Sequence, residues 1–414
     1  MRPRIGDKIP QIRPGRVSTM RFVSTSSEEE LSELTPATRT GPLRMLFIDN
    51  IRWTMILLVL SMHATDTYSP FGNWYYTDRS KTTLTTALIF VSYQSVLQAF
   101  FMALLFFVAG FFSAPSYDRK GTARFVRDRC LRLGVPTVLY MLMIGPLTQY
   151  FLSQTWGTGG FAHQWFVHLR DGQVLSETGP MWFAAVLLVF SLLYACFRAA
   201  TGFAVEFAGA LPSGNAIGGF IALMACTTFI VRIFIPEDVA VLNVHPGDIP
   251  QYILMFSAGV AAHRHRWLES LSTRSGMGLA LGLLVPSFAL FVILLAHGGA
   301  VRGDISLYAG GLNIVSFGKS VWESLVCVGA SVAIIVGYRR VFNRQGRLAT
   351  LLCENAFAVY LFHPPVIIAL AILLHEAAVP PLLKAALLTV AAAFVTFSFA
   401  ALVLRRIPLL RRIL

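Results

Sequence analysis

Leu46-Phe47-Ile48-Asp49-Asn50-Ile51-Arg52-Trp53-Thr54-Met55-Ile56-Leu57-Leu58-Val59-Leu60-Ser61-Met62-His63-Ala64 is apolar enough to cross a bilayer, yet it carries Arg52 and His63 within it. The spacing from 52 to 63 is almost three helical turns, so both side chains leave one face, roughly 16 Å apart along the axis. Ionisable groups in hydrocarbon are costly, and where they persist they usually face a cavity, a partner or a reaction.

The surroundings identify the medium. Hydrophobic residues make up 55% of the chain and charged ones 13%, against roughly 45–50% and 25% in soluble domains. Apolar runs recur near Leu46 to Ala64, Leu84 to Ser113, Leu133 to Ser153, Met181 to Phe197, Ala216 to Ile235, Gln251 to Ala262, Gly276 to Ala296, Ser320 to Tyr338, Leu348 to Leu374 and Leu382 to Leu404. The sixth is short, and Ser306 to Gly318 reads ambiguously. The pattern predicts an all-α, polytopic integral membrane protein of about ten transmembrane helices.

Basic residues mark the sides. Lys and Arg accumulate in cytoplasmic segments, and here they crowd the N-terminal tail, the segment holding Arg119, Lys120, Arg124, Arg127, Arg129 and Arg132, and the segment holding Arg339, Arg340, Arg344 and Arg347. Arg264, Arg266 and Arg274 form another such group, and Arg405, Arg406, Arg411 and Arg412 a last one. Arg79, Lys81, Arg170, Arg232, Arg302, Lys319 and Lys384 fall on the opposite side, which leaves Arg52 as the basic residue buried in a span. Both termini are therefore expected in the cytoplasm. The net charge of +13 reflects topology rather than a nucleic-acid surface, because no basic run is interleaved with aromatics on a soluble module.

Residues 1–44 are rich in Pro, Arg, Ser and Thr, with the acidic run Glu28-Glu29-Glu30. They read as a disordered cytoplasmic tail and not as a signal peptide, so the transmembrane domain is expected over residues 45–414. Cys130, Cys196, Cys226, Cys327 and Cys353 show neither disulfide nor zinc spacing. His163 and His168, near Trp156, Trp165 and Asp171, lack a third ligand, and no metal site is expected.

Several polar residues stand out. Arg52 follows Asp49 and reads either as a snorkelling arginine paired with it or as part of a passage with His63. Asp66, beyond His63, reads as an acceptor contact or a helix cap. Arg129 and Arg132 share a helix face and could grip phosphates, or simply decorate the cytoplasmic side and bind anionic membrane lipids. Glu323 reads as an intramembrane carboxylate or as the partner of Lys319, one turn away. His363 reads as cavity lining or a structural hydrogen bond, and Glu354 as the partner of a cytoplasmic arginine.

Phe47-Ile48-Asp49-Asn50-Ile51-Arg52 with His63, Phe106-Phe107-Val108-Ala109-Gly110-Phe111 and Arg129-Cys130-Leu131-Arg132-Leu133-Gly134-Val135-Pro136 resemble the membrane acyltransferase-3 family. Met181-Trp182-Phe183, Phe256-Ser257-Ala258-Gly259 and Tyr360-Leu361-Phe362-His363-Pro364 follow in that family's order, so the resemblance runs from Leu46 to the C-terminus. Within the family the chain looks most like the glucan-biosynthesis protein C branch, through Phe-Ile-Asp-Asn-Ile-Arg and the closing Arg406-Ile407-Pro408-Leu409-Leu410.

The resemblance implies an enzyme of the bacterial inner membrane that takes an acetyl or succinyl group from cytoplasmic acyl-coenzyme A, with no permanently bound cofactor, to a hydroxyl of an external carbohydrate or glycan. An imidazole, with an unperturbed pKa near 6.5, suits removal of the hydroxyl proton at neutral pH. His63 is then base or acyl carrier, Arg52 orients the donor or balances developing negative charge, and Arg129 and Arg132 hold coenzyme A phosphates. Glu323, His363 and Asp66 are the expected acceptor-side residues. The alternative reading is a secondary transporter or a lipid or glycan flippase with Arg52 and His63 along its path. Acyl group, acceptor and oligomeric state are not legible in the sequence.

Overall fold

The computed structural model describes residues 45–72, 74–78, 82–152, 160–172, 178–202 and 209–407. The tail expected over residues 1–44, the position of Trp156 and the motif from Pro408 onward lie outside the described residues. Long helices account for the expected apolar runs: α1 Leu46–Tyr68, α2 Leu84–Arg129, α3 Trp182–Thr201, α4 Gly214–Phe234, α5 Ile249–Arg264, α6 Thr273–His297, α7 Ile314–Val341, α8 Arg347–Leu373 and α9 Pro381–Leu402. There is no strand among the described residues, and the protein is an all-α, multi-pass membrane protein.

Eight helical stretches among the described residues are long and apolar enough to cross a membrane. The expected runs differ from these at two places. Leu84 to Ser113 and Leu133 to Ser153 fall within one nearly continuous helical stretch, Leu84–Tyr150, broken at Gly121, where φ is 70° and a side chain would be strained. The chain folds back there, because Arg129 Nη2 donates to Ser113 Oγ at 3.2 Å, whereas sixteen residues of straight helix would hold them about 24 Å apart. The run Gln251 to Ala262 lies in α5, whose 16 residues reach about 24 Å.

The second leg owes its π-helical turns, Cys130–Gly134 and Tyr140–Ile144, to proline. Pro136 and Pro146 have no N–H, and their rings crowd the carbonyls of residues 132 and 142, so a wider turn relieves the clash. The freed Leu142 carbonyl is recovered by Trp165 Nε1, which donates to it at 2.7 Å.

Helix α1 lies at the centre, packed by α2, α7, α8 and α9. Its beginning is clamped by Asn50, whose Nδ2 donates to the carbonyls of Phe342 (2.6 Å) and Arg344 (3.0 Å), and by Thr54, which accepts from the Tyr338 hydroxyl at 2.9 Å. Two glycines bring α2 and α5 together. A methyl group on Gly110 would lie 2.1 Å from the Phe256 carbonyl oxygen, and one on Gly259 would lie 2.0 Å from that of Phe107. The backbones therefore touch where membrane helices commonly use small residues.

Candidate functional site

Where α1 ends, the helices part around a cavity of about 810 Å³. Its wall includes His63 and Asp66 from α1, Gln94 and Gln98 from α2, Trp74 from the following loop, and Trp182, Asp248, Tyr252, Lys319, Trp322 and Tyr360. The three segments meeting here are pinned to one another. Thr178 Oγ1 donates to the Leu242 carbonyl at 2.5 Å, the Gly179 amide donates to Asn243 Oδ1 at 2.8 Å, and the Tyr360 hydroxyl donates to the Pro180 carbonyl.

His63 is held by a chain of polar contacts. Its Nδ1 lies 3.3 Å from Asp66 Oδ2, one helical turn on. Asp66 Oδ1 accepts from Gln94 Nε2 at 2.5 Å, and Gln94 Oε1 accepts from Ser69 Oγ at 2.9 Å. A carboxylate accepts only, so Nδ1 carries the hydrogen toward Asp66 and Nε2 keeps its lone pair. Trp74 stacks on the imidazole, with ring centroids 3.7 Å apart and planes inclined by 16°. On another side His363 lies parallel at 5.3 Å. His363 is fully buried, its Nδ1 2.8 Å from the Tyr360 carbonyl and its Nε2 without a partner among the described residues. The structure thus brings His63, Asp66 and His363 together.

A buried ion network borders the same cavity through Asp248, Glu237 and Lys319. Arg232 Nη1 bonds Glu323 Oε2 at 2.5 Å, and Nη2 bonds Asp248 Oδ1 at 2.7 Å. Lys319 pairs with Glu237 and lies 3.6 Å from Glu323. Burial alone would raise the Glu237 carboxyl, but Lys319 and then Arg232 hold it down at about 2. Glu323 therefore has the Lys319 contact read from the helix spacing, together with a closer one from α4.

Basic residues correct one expectation. Arg52 is not the basic side chain buried in a span: it is 57% exposed, 3.9 Å from Asp49, while Arg232 is 1% exposed. Arg232 sits in the last turn of α4, where three carboxylates from other segments converge on it, and charge density at a helix end looks like loop decoration from one sequence. Arg52 does not reach the cavity; it lies with Arg129 and Arg132 within Coulombic range. Arg129 is positioned by Ser113 and by the Phe125 ring, 4.9 Å from the guanidinium carbon. Glu354 pairs with Arg405, in line with the arginine partner expected for it.

Trp74, Gln94, Gln98, Arg232, Asp248 and Tyr252 escaped the sequence reading. Gln94 and Gln98 were visible as amides one turn apart in an apolar run, which is the one signal that could have found them. A family model described as an acyltransferase domain, Acyl_transf_3, matches residues 45–405. Comparison with curated proteins and with solved structures returns no match.

Proposed function

The chain belongs to the Acyl_transf_3 acyltransferase family, and we propose that it carries an acyl group from cytoplasmic acyl-coenzyme A to a hydroxyl of a carbohydrate or glycan on the far side of the bacterial inner membrane. The observation that carries this reading is the chain His63–Asp66–Gln94 on the wall of a cavity rich in aromatic and amide groups. With Nδ1 turned to Asp66, Nε2 of His63 takes the proton of an acceptor hydroxyl. The acceptor oxygen forms the new bond to the acyl carbon, the carbon–sulfur bond breaks, and the thiolate leaves and recovers a proton.

Arg52, Arg129 and Arg132 supply a phosphate-binding cluster at the opposite end of α1. Forked guanidinium groups suit phosphates. Roughly 16 Å of helix separates them from His63, and coenzyme A carries its thioester on a long flexible arm, away from its phosphates. The glucan-succinylating branch is the finer assignment favoured by the Phe47–Arg52 and Arg406–Leu410 segments.

Purified protein supplied with acetyl- or succinyl-coenzyme A should release free thiol in proportion to added glycan. Transport of glycan or lipid with no thiol release would favour the flippase reading instead.

A further inference from the structure

Gln94 and Gln98 stand one turn apart on α2, and each grips a carboxylate. Gln94 holds Asp66, the partner of His63, and Gln98 Nε2 donates to Asp248 Oδ2 at 3.1 Å. The rise between them is about 6 Å, so the second carboxylate stands one helical step from the first along the cavity wall. Asp248 is only 5% exposed, yet it lines the cavity and keeps its place through Arg232 at 2.7 Å.

Its bonding is not saturated. A carboxylate offers about four acceptor positions. Arg232, Gln98 and the Tyr252 hydroxyl supply three donors, and the Tyr252 contact, at 3.4 Å, is long. Gln98 spends one amide hydrogen on Asp248 and leaves its amide oxygen unpaired among the described residues. The Tyr252 ring is stacked with Trp182 at 5.6 Å and 27°, both on the same cavity wall.

We propose that Asp248 and Gln98 bind neighbouring hydroxyls of an uncharged carbohydrate acceptor, with Trp182, backed by Tyr252, against its apolar face. The carboxylate accepts from one hydroxyl, and the Gln98 amide oxygen accepts from the next. Amides and carboxylates converging beside aromatic rings recognise a polyol. Asp66, Glu237, Asp238 and Asp248 against Lys319 on this wall disfavour an anionic sugar. The inference rests on the acceptor being a glycan, as proposed above.

The test uses full-length protein in detergent, with maltotriose, cellotriose and laminaritriose as probes, and reads binding by quenching of tryptophan fluorescence. Asp248→Asn keeps the shape but not the charge and should weaken the best-bound trisaccharide about tenfold or more, and Gln98→Ala about threefold. Absence of trisaccharide binding by the wild type, or affinities within a factor of about two of wild type in both variants, would overturn the proposal. Should Asp248→Asn fail to accumulate, Gln98→Ala alone decides. Trisaccharide binding that is lost in the variants, in a wild-type protein that never turns over acyl-coenzyme A, would remove the transferase reading and leave the sugar site standing.

Discussion

Asp66 Oδ2 stands 3.3 Å from Nδ1 of His63, and the opposite oxygen of the same carboxylate is taken by Gln94. Asp66 thereby fixes both the tautomer and the ring orientation of the imidazole, which leaves Nε2 for the proton transfer proposed above. His63→Ala should lower acyl transfer by about 10²–10⁴, with binding of acyl-coenzyme A retained. Asp66→Asn removes a charge-assisted contact worth about 1.5–3 kcal/mol, or about tenfold to hundredfold in kcat. Steady-state release of thiol measures both. Transfer by His63→Ala above about a tenth of wild type would remove the imidazole from the role of base.

The difference between what could and could not be read from the chain follows from distance along it. His63 and Asp66 are i and i+3 on one helix, so their meeting was implicit in the spacing. The contacts of Asp248 with Gln98 and of Arg232 with Glu323 join residues 150 and 91 positions apart. No local periodicity encodes such pairs. Arg52 misled because depth along a helix was inferred from the apolar run, while exposure depends on which neighbours cover that face. The reversal between the runs Leu84 to Ser113 and Leu133 to Ser153 was expected from the basic segment between them; that this segment is itself helical on both sides of Gly121 was not, since a charged stretch reads as loop or helix alike until Arg129 is seen beside Ser113.

Arg129 and Arg132 provide a second test. Replacing both by Ala should raise the apparent constant for acyl-coenzyme A about tenfold or more, because two charge-assisted phosphate contacts are lost. Activity at saturating donor should fall far less. Arg52→Lys keeps the charge and loses the planar fork, so it separates geometry from simple charge. A donor constant unchanged in all three variants would return the cluster to decoration of the cytoplasmic surface.

The glycine contact predicts a stability change. Gly110→Ala puts a methyl group 2.1 Å from the Phe256 carbonyl oxygen, which forces α2 and α5 apart at a cost of about 1–3 kcal/mol. Gly218→Ala on α4 meets nothing within 4 Å and should instead gain about 0.5–1 kcal/mol from helix propensity. Thermal unfolding in detergent should therefore move in opposite directions for the two variants. A Tm for Gly110→Ala equal to that of wild type would mean that the backbones do not touch.

The proposed route needs His63 on the outer side and the Arg52 cluster on the inner one. From charge bias we expect the segment around Arg339–Arg347 in the cytoplasm, and the segment around Ser306, on the same rim as the cavity, outside. Both Asn343 and Ser306 are exposed. In a background with the five native cysteines replaced, Ser306→Cys should react with a membrane-impermeant maleimide applied to intact spheroplasts, while Asn343→Cys should react only after lysis. Both sites are reachable in lysed membranes, so lysis controls for folding and accessibility. Labelling of Asn343→Cys alone before lysis would invert the protein. The histidine cavity would then face the cytoplasm, and no path from a cytoplasmic donor to an external acceptor would run along α1.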